Sequence, residues 1–364
     1  MGSESRGRGI RMLGLSLALL VVLACAGCND RQPVTRRFKP VSEPVIAVLG
    51  TRPPRVVMVG ARSLEVLGDV KLRSLSIDID AAGGDLIVPL CGGPGGSSDT
   101  VVAVIRPSAG TVDLIETGRL GPERVASAGR WALGVNSEVL AAGMAGFVLD
   151  VADRSVVPVT VPHGPGVMTA VGSDVWLAER FPGPDESLTE RLWALTSDRE
   201  ARMIPLPASG VVGLAATEDE LVVAGQSPGE EGGTIVRSYR LPGLEPLADV
   251  EFAPGERLSG PLSRHGSGIV VLRDGKDGSA ELLDSETLEA RWTVDGLVGP
   301  LAATSVGDNV AVACAGSGEI VIIDARSGSV RKRVRVGEPG FDIADLSFSD
   351  PAAQTTRQEA PRDR

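Results

Sequence analysis

The sequence predicts an all-β chain folded as a seven-bladed β-propeller of four-stranded blades, closed by pairing of its N- and C-terminal strands. Three observations carry this prediction. Val, Ile and Leu cluster in runs of four to seven residues bounded by Gly, Pro, Asp and Ser, with no sustained helical period beyond residue 28. An apolar run behind a small or acidic turn recurs as GGDLIVPL from Gly83, NSEVLAAG from Asn136, GSDVWLAE from Gly172, EDELVVAG from Glu218, GSGIVVLR from Gly266 and GDNVAVAC from Gly307. The mean spacing of about 45 residues is that of a propeller blade. The chain ends are also complementary, with strands at one end that lack an innermost partner and a lone innermost strand at the other.

Taken in order, PVIAVLG from Pro44, RVVMVG from Arg55 and SLEVLGDVKL from Ser63 read as three strands of an incomplete blade. Innermost strands are expected to start near Leu75, Val125, Pro165, Val211, Leu258 and Pro300, each followed by one of the recurring runs. The outer strands follow in TVDLIETGRL, GFVLDVADRSVVPV, RLWALTSDREARMI, AELLDSETLEARWTV and EIVIIDARSGSVRKRVRV. FDIADLSFS, residues 341–349, is the seventh innermost strand, and its pairing with the N-terminal strands covers edges that would otherwise stay open. The propeller is therefore expected over residues 44–349. Residues 350–364, DPAAQTTRQEAPRDR, are polar and unpatterned and are expected to be a disordered tail.

Ahead of the propeller, Arg6, Arg8 and Arg11 precede the apolar stretch LGLSLALLVVLACAGC, residues 13–28. A basic leader, a short apolar core and small residues at its end form a secretory signal, and the core falls short of the roughly 20 residues of a spanning helix. The stretch resembles a bacterial lipoprotein lipobox, in which a small residue precedes the Cys that receives a diacylglycerol. Cys25, behind Val22-Leu23-Ala24, fits that pattern best, and Cys28, behind Cys25-Ala26-Gly27, is the alternative. The expected organisation is a signal at 1–24, a lipid-anchored flexible tether at 25–43, and a protein on the extracytoplasmic face of the bacterial cell membrane. The tether carries the basic cluster of Arg31, Arg36, Arg37 and Lys39, read as a solvated stretch, with contact to headgroups as the alternative.

The formal charge of the chain is -11, and removal of residues 1–24, which hold one Glu and three Arg, lowers it further. An acidic surface argues against nucleic acid as a partner. Residues 319–344, EIVIIDARSGSVRKRVRVGEPGFDIA, resemble the YVTN repeats of bacterial surface propellers. LLDSETLEARW, residues 282–292, is similar to the D-x-x-T-G-x-x-x-W repeat of quinoprotein-like propellers, with Asp284, Thr287 and Trp292 matching and Leu288 in place of the Gly. The resemblance implies the WD40-like propeller fold, and function on such a scaffold sits in its loops.

No enzyme is expected. The chain has two histidines, His163 in a connection between blades and His265 in a turn within a blade, and these two classes of loop open on opposite faces. A shared metal site is thereby disfavoured, and no G-x-S-x-G elbow is present. DGKDG from Asp274 lacks the ligand pattern of an EF-hand, and CGGPGGSSD, residues 91–99, lacks the helix and the Lys-Ser pair of a phosphate loop. A quinoprotein-like enzyme would need a polar channel mouth and a calcium site, so neither cofactor nor metal is expected. Cys91 and Cys314 end the second strands of non-adjacent blades and are expected as buried free thiols. Trp131, Trp176, Trp193 and Trp292 fall in strand-like runs and belong to the core, and with so few aromatics carbohydrate recognition is disfavoured.

The longest connections within blades, LCGGPGGSSDT, ERFPGPDESLTER and GQSPGEEGG, open on the same face as the connections between blades. That face is the candidate binding surface, with Arg180, Asp185, Glu186, Glu190, Glu230, Glu231 and His163 as candidate residues. The function expected is a non-enzymatic module binding another envelope or exported protein, with a small-molecule or ion receptor serving a transporter as the alternative.

Overall fold

The computed structural model describes residues 35–91, 100–118, 122–135, 145–161, 165–182, 188–196, 201–205, 211–217, 219–226, 233–253, 258–274, 277–337 and 339–346. The strands form seven four-stranded antiparallel sheets. The chain opens with β1 (Val45–Thr51), β2 (Pro54–Gly60) and β3 (Val66–Lys71). The first complete blade is β4 (Asp80–Ala82), β5 (Asp85–Leu90), β6 (Val101–Arg106) and β7 (Thr111–Glu116), and the second is β8 (Arg124–Ala128), β9 (Trp131–Val135), β10 (Ala145–Asp150) and β11 (Val156–Thr160). The third comprises β12 (Pro165–Val171), β13 (Asp174–Pro182), β14 (Leu188–Leu195) and β15 (Ala201–Pro205). The fourth comprises β16 (Gly213–Ala216), β17 (Glu220–Gln226), β18 (Thr234–Arg240) and β19 (Glu245–Glu251). β20 (Ser263–His265), β21 (Gly268–Arg273), β22 (Gly278–Asp284) and β23 (Ala290–Leu297) form the fifth, and β24 (Pro300–Val306), β25 (Asn309–Cys314), β26 (Glu319–Asp324) and β27 (Val330–Arg335) the sixth. β28 (Pro339–Leu346) then pairs with β1, Val45 opposite Leu346, and completes a seventh blade in the order β28-β1-β2-β3. This is the seven-bladed propeller and the terminal closure that the sequence predicts.

Sheets stand face to face around the ring, so the core is divided among the blade interfaces. Ile87, Val102, Phe147 and Leu149 join the first and second blades, and Ile46, Val48, Ala313 and Ile322 join the sixth and seventh. At roughly 1.5–3 kcal/mol for each large apolar side chain removed from water, these interfaces dominate the stability. Trp131, Trp176 and Trp292 are buried as expected, whereas Trp193 is half-buried. The indoles of Trp131 and Trp292 each donate to a carbonyl of the following blade, Ser173 O at 3.2 Å and Ala325 O at 2.8 Å.

Three strand boundaries differ from expectation. The innermost strands expected from Leu75 and Leu258 begin with single contacts, Cys91 N–H to Leu75 O and the bridge between Leu258 and Arg273, and then lapse. In the first, the Ser76 hydroxyl folds the chain into a local turn by bonding Asp78 O at 2.8 Å, so pairing resumes only at Asp80. In the second, Gly260 at φ +96° bends the chain against Leu301 O. In the second blade, Gly129 at φ +66° makes an early turn. The second strand is consequently β9 (Trp131–Val135), and NSEVLAAG from Asn136 lies outside the described residues.

The turns between third and fourth strands share one design. In the fifth blade Asp284 Oδ1 accepts the N–H groups of Glu286 and Thr287, each at 3.0 Å, while its Oδ2 holds Arg291 at 2.5 Å. Asp324 repeats the arrangement with Arg326, Ser327 and Arg331. These bonds hold both carboxyls down at about 2, led by Arg291 for Asp284 and by the Ser327 N–H for Asp324. Each turn closes on a residue in the left-handed region, Gly328 at φ +70° but Leu288 at φ +56°, and Leu64, Arg154 and Leu244 occupy the same region in other blades. The D-x-x-T-G likeness thus has a physical basis in which Leu288 accepts the conformation usually left to glycine.

The tether expected at 25–43 is not free chain over its described part. Phe38 N–H donates to Gly110 O, Val41 N–H to Pro107 O, and Arg37 bridges Thr111. Glu43 accepts the N–H groups of Arg62 and Ser63 at 3.0 Å, and so performs for the seventh blade what Asp284 does for the fifth.

Candidate functional site

Alternating strand direction sorts the connections into two faces. Links between first and second strands, and between third and fourth, open on one face and are two to five residues long, as in Gly83–Gly84 and Ser285–Glu289. Links between second and third strands, and between blades, open on the other and range from two residues to eleven, the longest being 252–262, 91–100 and 136–144. We call these the turn face and the loop face. The loop face is the surface on which the sequence places its candidate residues.

Asp185, Glu186, Glu230, Glu231 and His163 lie outside the described residues, as do Cys25 and Cys28. Arg180 and Glu190 belong to the ladder of the third blade, where they stand directly opposite one another. The loop expected from Glu179 to Arg191 is thus shorter, because β13 and β14 extend through Phe181 and Thr189 and leave only 183–187 as connection. Pro182, which reads as a loop residue, sits at the end of this ribbon.

Within the ring, the innermost strands carry a set of carboxyls that the sequence analysis did not single out. Ile79 N–H donates to Asp342 Oδ2 at 3.0 Å, Val125 N–H to Asp78 Oδ2 at 2.7 Å, and Ser127 N–H to Asp80 Oδ2 at 2.7 Å. An innermost strand has no neighbour on its channel side, so its outward N–H groups need acceptors. Here the preceding blade supplies them, linking the seventh blade to the first and the first to the second. The channel admits some solvent to Asp80 and Asp342, but protein surrounds them, and desolvation opposes their charged forms. Burial pushes Asp80 up to about 7, against the N–H bonds from Ala81 and Ser127. Burial first, and then the adjacent Asp78 carboxyl, push Asp342 well above the usual range. The available signal was acidic residues at inner-strand positions that hold Ala in β16 and β24.

On the turn face, a cavity of about 440 Å³ between the fifth and sixth blades is lined by His265, Arg291, Asp308, Asp324, Arg326 and Arg331, among others. His265 Nδ1 lies 2.8 Å from Ser305 Oγ, and burial lowers its pKa, disfavouring the charged imidazole. Arg291 and Arg331 are held by Asp284 and Asp324, which commits much of the cavity's charge to its own turns.

Cys314 is buried, its thiol pushed up to about 11 by burial, and Cys91 is partly exposed with its thiol on Leu75 O at 3.2 Å. Neither forms a disulfide among the described residues, and the exposure of Cys91 corrects the expectation of two buried thiols. Among the described residues, no three His, Cys, Asp or Glu side chains are grouped to hold a metal ion.

No family model matches the chain, and no curated protein matches it. Solved structures do. Apo AztD from Citrobacter koseri superposes with a TM-score of 0.56 at 11% identity, covering 84% of this chain and 98% of that one. The Cps50 (Swd1) propeller domain of Myceliophteria thermophila gives 0.59 at 12%, covering 80% and 99%. The dihydro-heme d1 dehydrogenase NirN gives 0.52 at 15%, covering 85% and 77%. At such identities the likeness establishes the propeller fold alone, and it spans a dehydrogenase as well as the WD40 repeats of RRP9.

Proposed function

We propose that this protein is a non-enzymatic binding module of the bacterial cell envelope. A lipid on Cys25 or Cys28 holds it at the extracytoplasmic face of the membrane, and its loop face takes up another envelope or exported protein. The observation that carries this reading is the asymmetry between the two faces. Short, repeated turns on one side fix the scaffold, whereas connections of widely different length gather on the other, where binding residues are displayed without cost to the blades. The signal-like leader and the lipobox resemblance support the location.

The test is affinity capture from detergent-solubilised membranes with the anchored protein as bait, beside a bait lacking residues 183–187. A polypeptide retained by the first and lost from the second supports the module and places its binding face. A second reading, a small-molecule receptor, is favoured by the cavity beside His265. It prevails if no polypeptide depends on the loop and a small molecule is released when the purified protein is denatured.

A further inference from the structure

The outermost strand of the sixth blade is unlike the rest of this acidic chain. β27 reads Val-Arg-Lys-Arg-Val-Arg, and all but Val334 are exposed. None of the other six outer strands carries more than one cation, and β19 carries Glu245, Asp249 and Glu251 instead. Charged side chains on a strand edge protect it from pairing with another chain, but either sign serves that end, as β19 illustrates. Arg331 and Arg333 are paired with Asp324 and Glu319, while Lys332 and Arg335 have no ion-pair partner among the described residues.

This strand lies on the same flank as the N-terminal segment. The sixth, seventh and first blades are consecutive around the ring, and residues 35–41 run between the outer strands of the last two. Thr35 N–H donates to Lys71 O at 3.2 Å, and Arg36, Arg37 and Lys39 are exposed on that segment. From Cys25 to Thr35 the chain reaches at most about 35 Å, and from Cys28 about 25 Å. A lipid on either cysteine therefore keeps the bilayer beside this flank.

We propose that Arg326, Lys332 and Arg335, with Arg36, Arg37, Lys39 and Lys71, form a membrane-facing flank that rests on anionic lipid headgroups and turns the fourth blade away from the bilayer. The choice of a membrane as partner rests on the anchored reading above. The overall charge of -11 does not oppose it, since at physiological salt charges farther than about 8 Å from the surface are largely screened. Attraction of each basic side chain near such a surface corresponds to about fivefold in partition.

The chain has four lysines, Lys39, Lys71 and Lys332 on the flank and Lys276 in the link between β21 and β22, so amine acylation read by mass spectrometry reports the orientation directly. The full anchored protein is reconstituted in phosphatidylcholine vesicles with and without 30% phosphatidylglycerol. The expected result is that the anionic lipid slows acylation of Lys332 and Lys39 about fivefold relative to Lys276, and that Arg326→Gln with Arg335→Gln, or high salt, abolishes the slowing. Equal rates on both vesicles overturn the flank while flotation with neutral vesicles upholds the anchor. Binding only to the anionic vesicles, with Lys332 protected, upholds the flank and removes the anchor. Protection by soluble polyglutamate but not by the anionic vesicles overturns the membrane in favour of an acidic polypeptide.

Discussion

Raising the pH from 5 to 8.5 is expected to weaken the folded ring, and replacing Asp80 by Asn to remove much of that weakening. Burial holds the Asp80 carboxyl at about 7 in the folded protein, against 3.8 for an exposed aspartate. Between those values the folded chain keeps a proton that the unfolded chain has released. Stability therefore declines as the pH rises through this window, and the loss is complete above about 7. From pH 5 upward the window spans about two units, which at about 1.4 kcal/mol each set a ceiling of about 3 kcal/mol. For a domain of this size, that is about 6 °C in Tm. Asp342, also raised, adds a contribution of the same sign. Asp284 and Asp324, held at about 2, act in the opposite sense, since their contribution is present above about 4 and is lost on acidification. Maximum stability should thus fall near pH 4. In Asp80→Asn one N–H loses its carboxylate acceptor, a loss of about 1–3 kcal/mol that does not titrate. Calorimetric scans at half-unit pH steps should show a variant lower than the wild type at pH 5 but with a flatter alkaline limb. Parallel curves for the two proteins would refute the assignment of Asp80 as the group that holds the proton.

Three further outcomes follow from single positions. Gly260→Ala places a Cβ 1.8 Å from Leu301 O at φ +96°, and should destabilise by at least about 3 kcal/mol in urea titrations, whereas a loss below about 1 would show that the junction of the fifth and sixth blades yields freely. Leu288→Gly relieves about 1 kcal/mol of left-handed strain but removes a buried leucine whose packing contributes about 3, so a net loss of about 2 kcal/mol is expected. A net gain would show that strain outweighs packing there. Cys314 should resist a thiol reagent at pH 8 until the protein unfolds, while Cys91 reacts in the folded state, as peptide mapping would reveal.

The blades were legible because each strand writes its own apolar run and each turn its own Gly, Asp or Ser. Closure was legible because β1, β2 and β3 visibly lacked an inner partner. The repeat motif, in contrast, faded in the early blades because the geometry it encodes survives without its letters. Leu64 and Arg154 hold the left-handed position without glycine, and Glu43 reaches the turn of the seventh blade from outside it. The carboxyl links were hidden for another reason: Asp78 and Asp80 accept from Val125 and Ser127, each 47 residues further along, and no local pattern announces such a pairing. β27 was absorbed into its repeat, where its alternation signalled a strand and its charge went unread.

The seam between β28 and β1 also governs how the molecule is made. Val45 finds Leu346 only once the chain has been made through β28, so a chain emerging from its N-terminus carries the bare inner edge of β1 until that strand is complete. Contacts of such sequence separation form late and slowly. A product cut short before Pro339 can stack six blades yet must leave that edge uncovered, open to pairing with any extended segment nearby. β28 thus hides an adhesive edge only in molecules whose synthesis has passed through it.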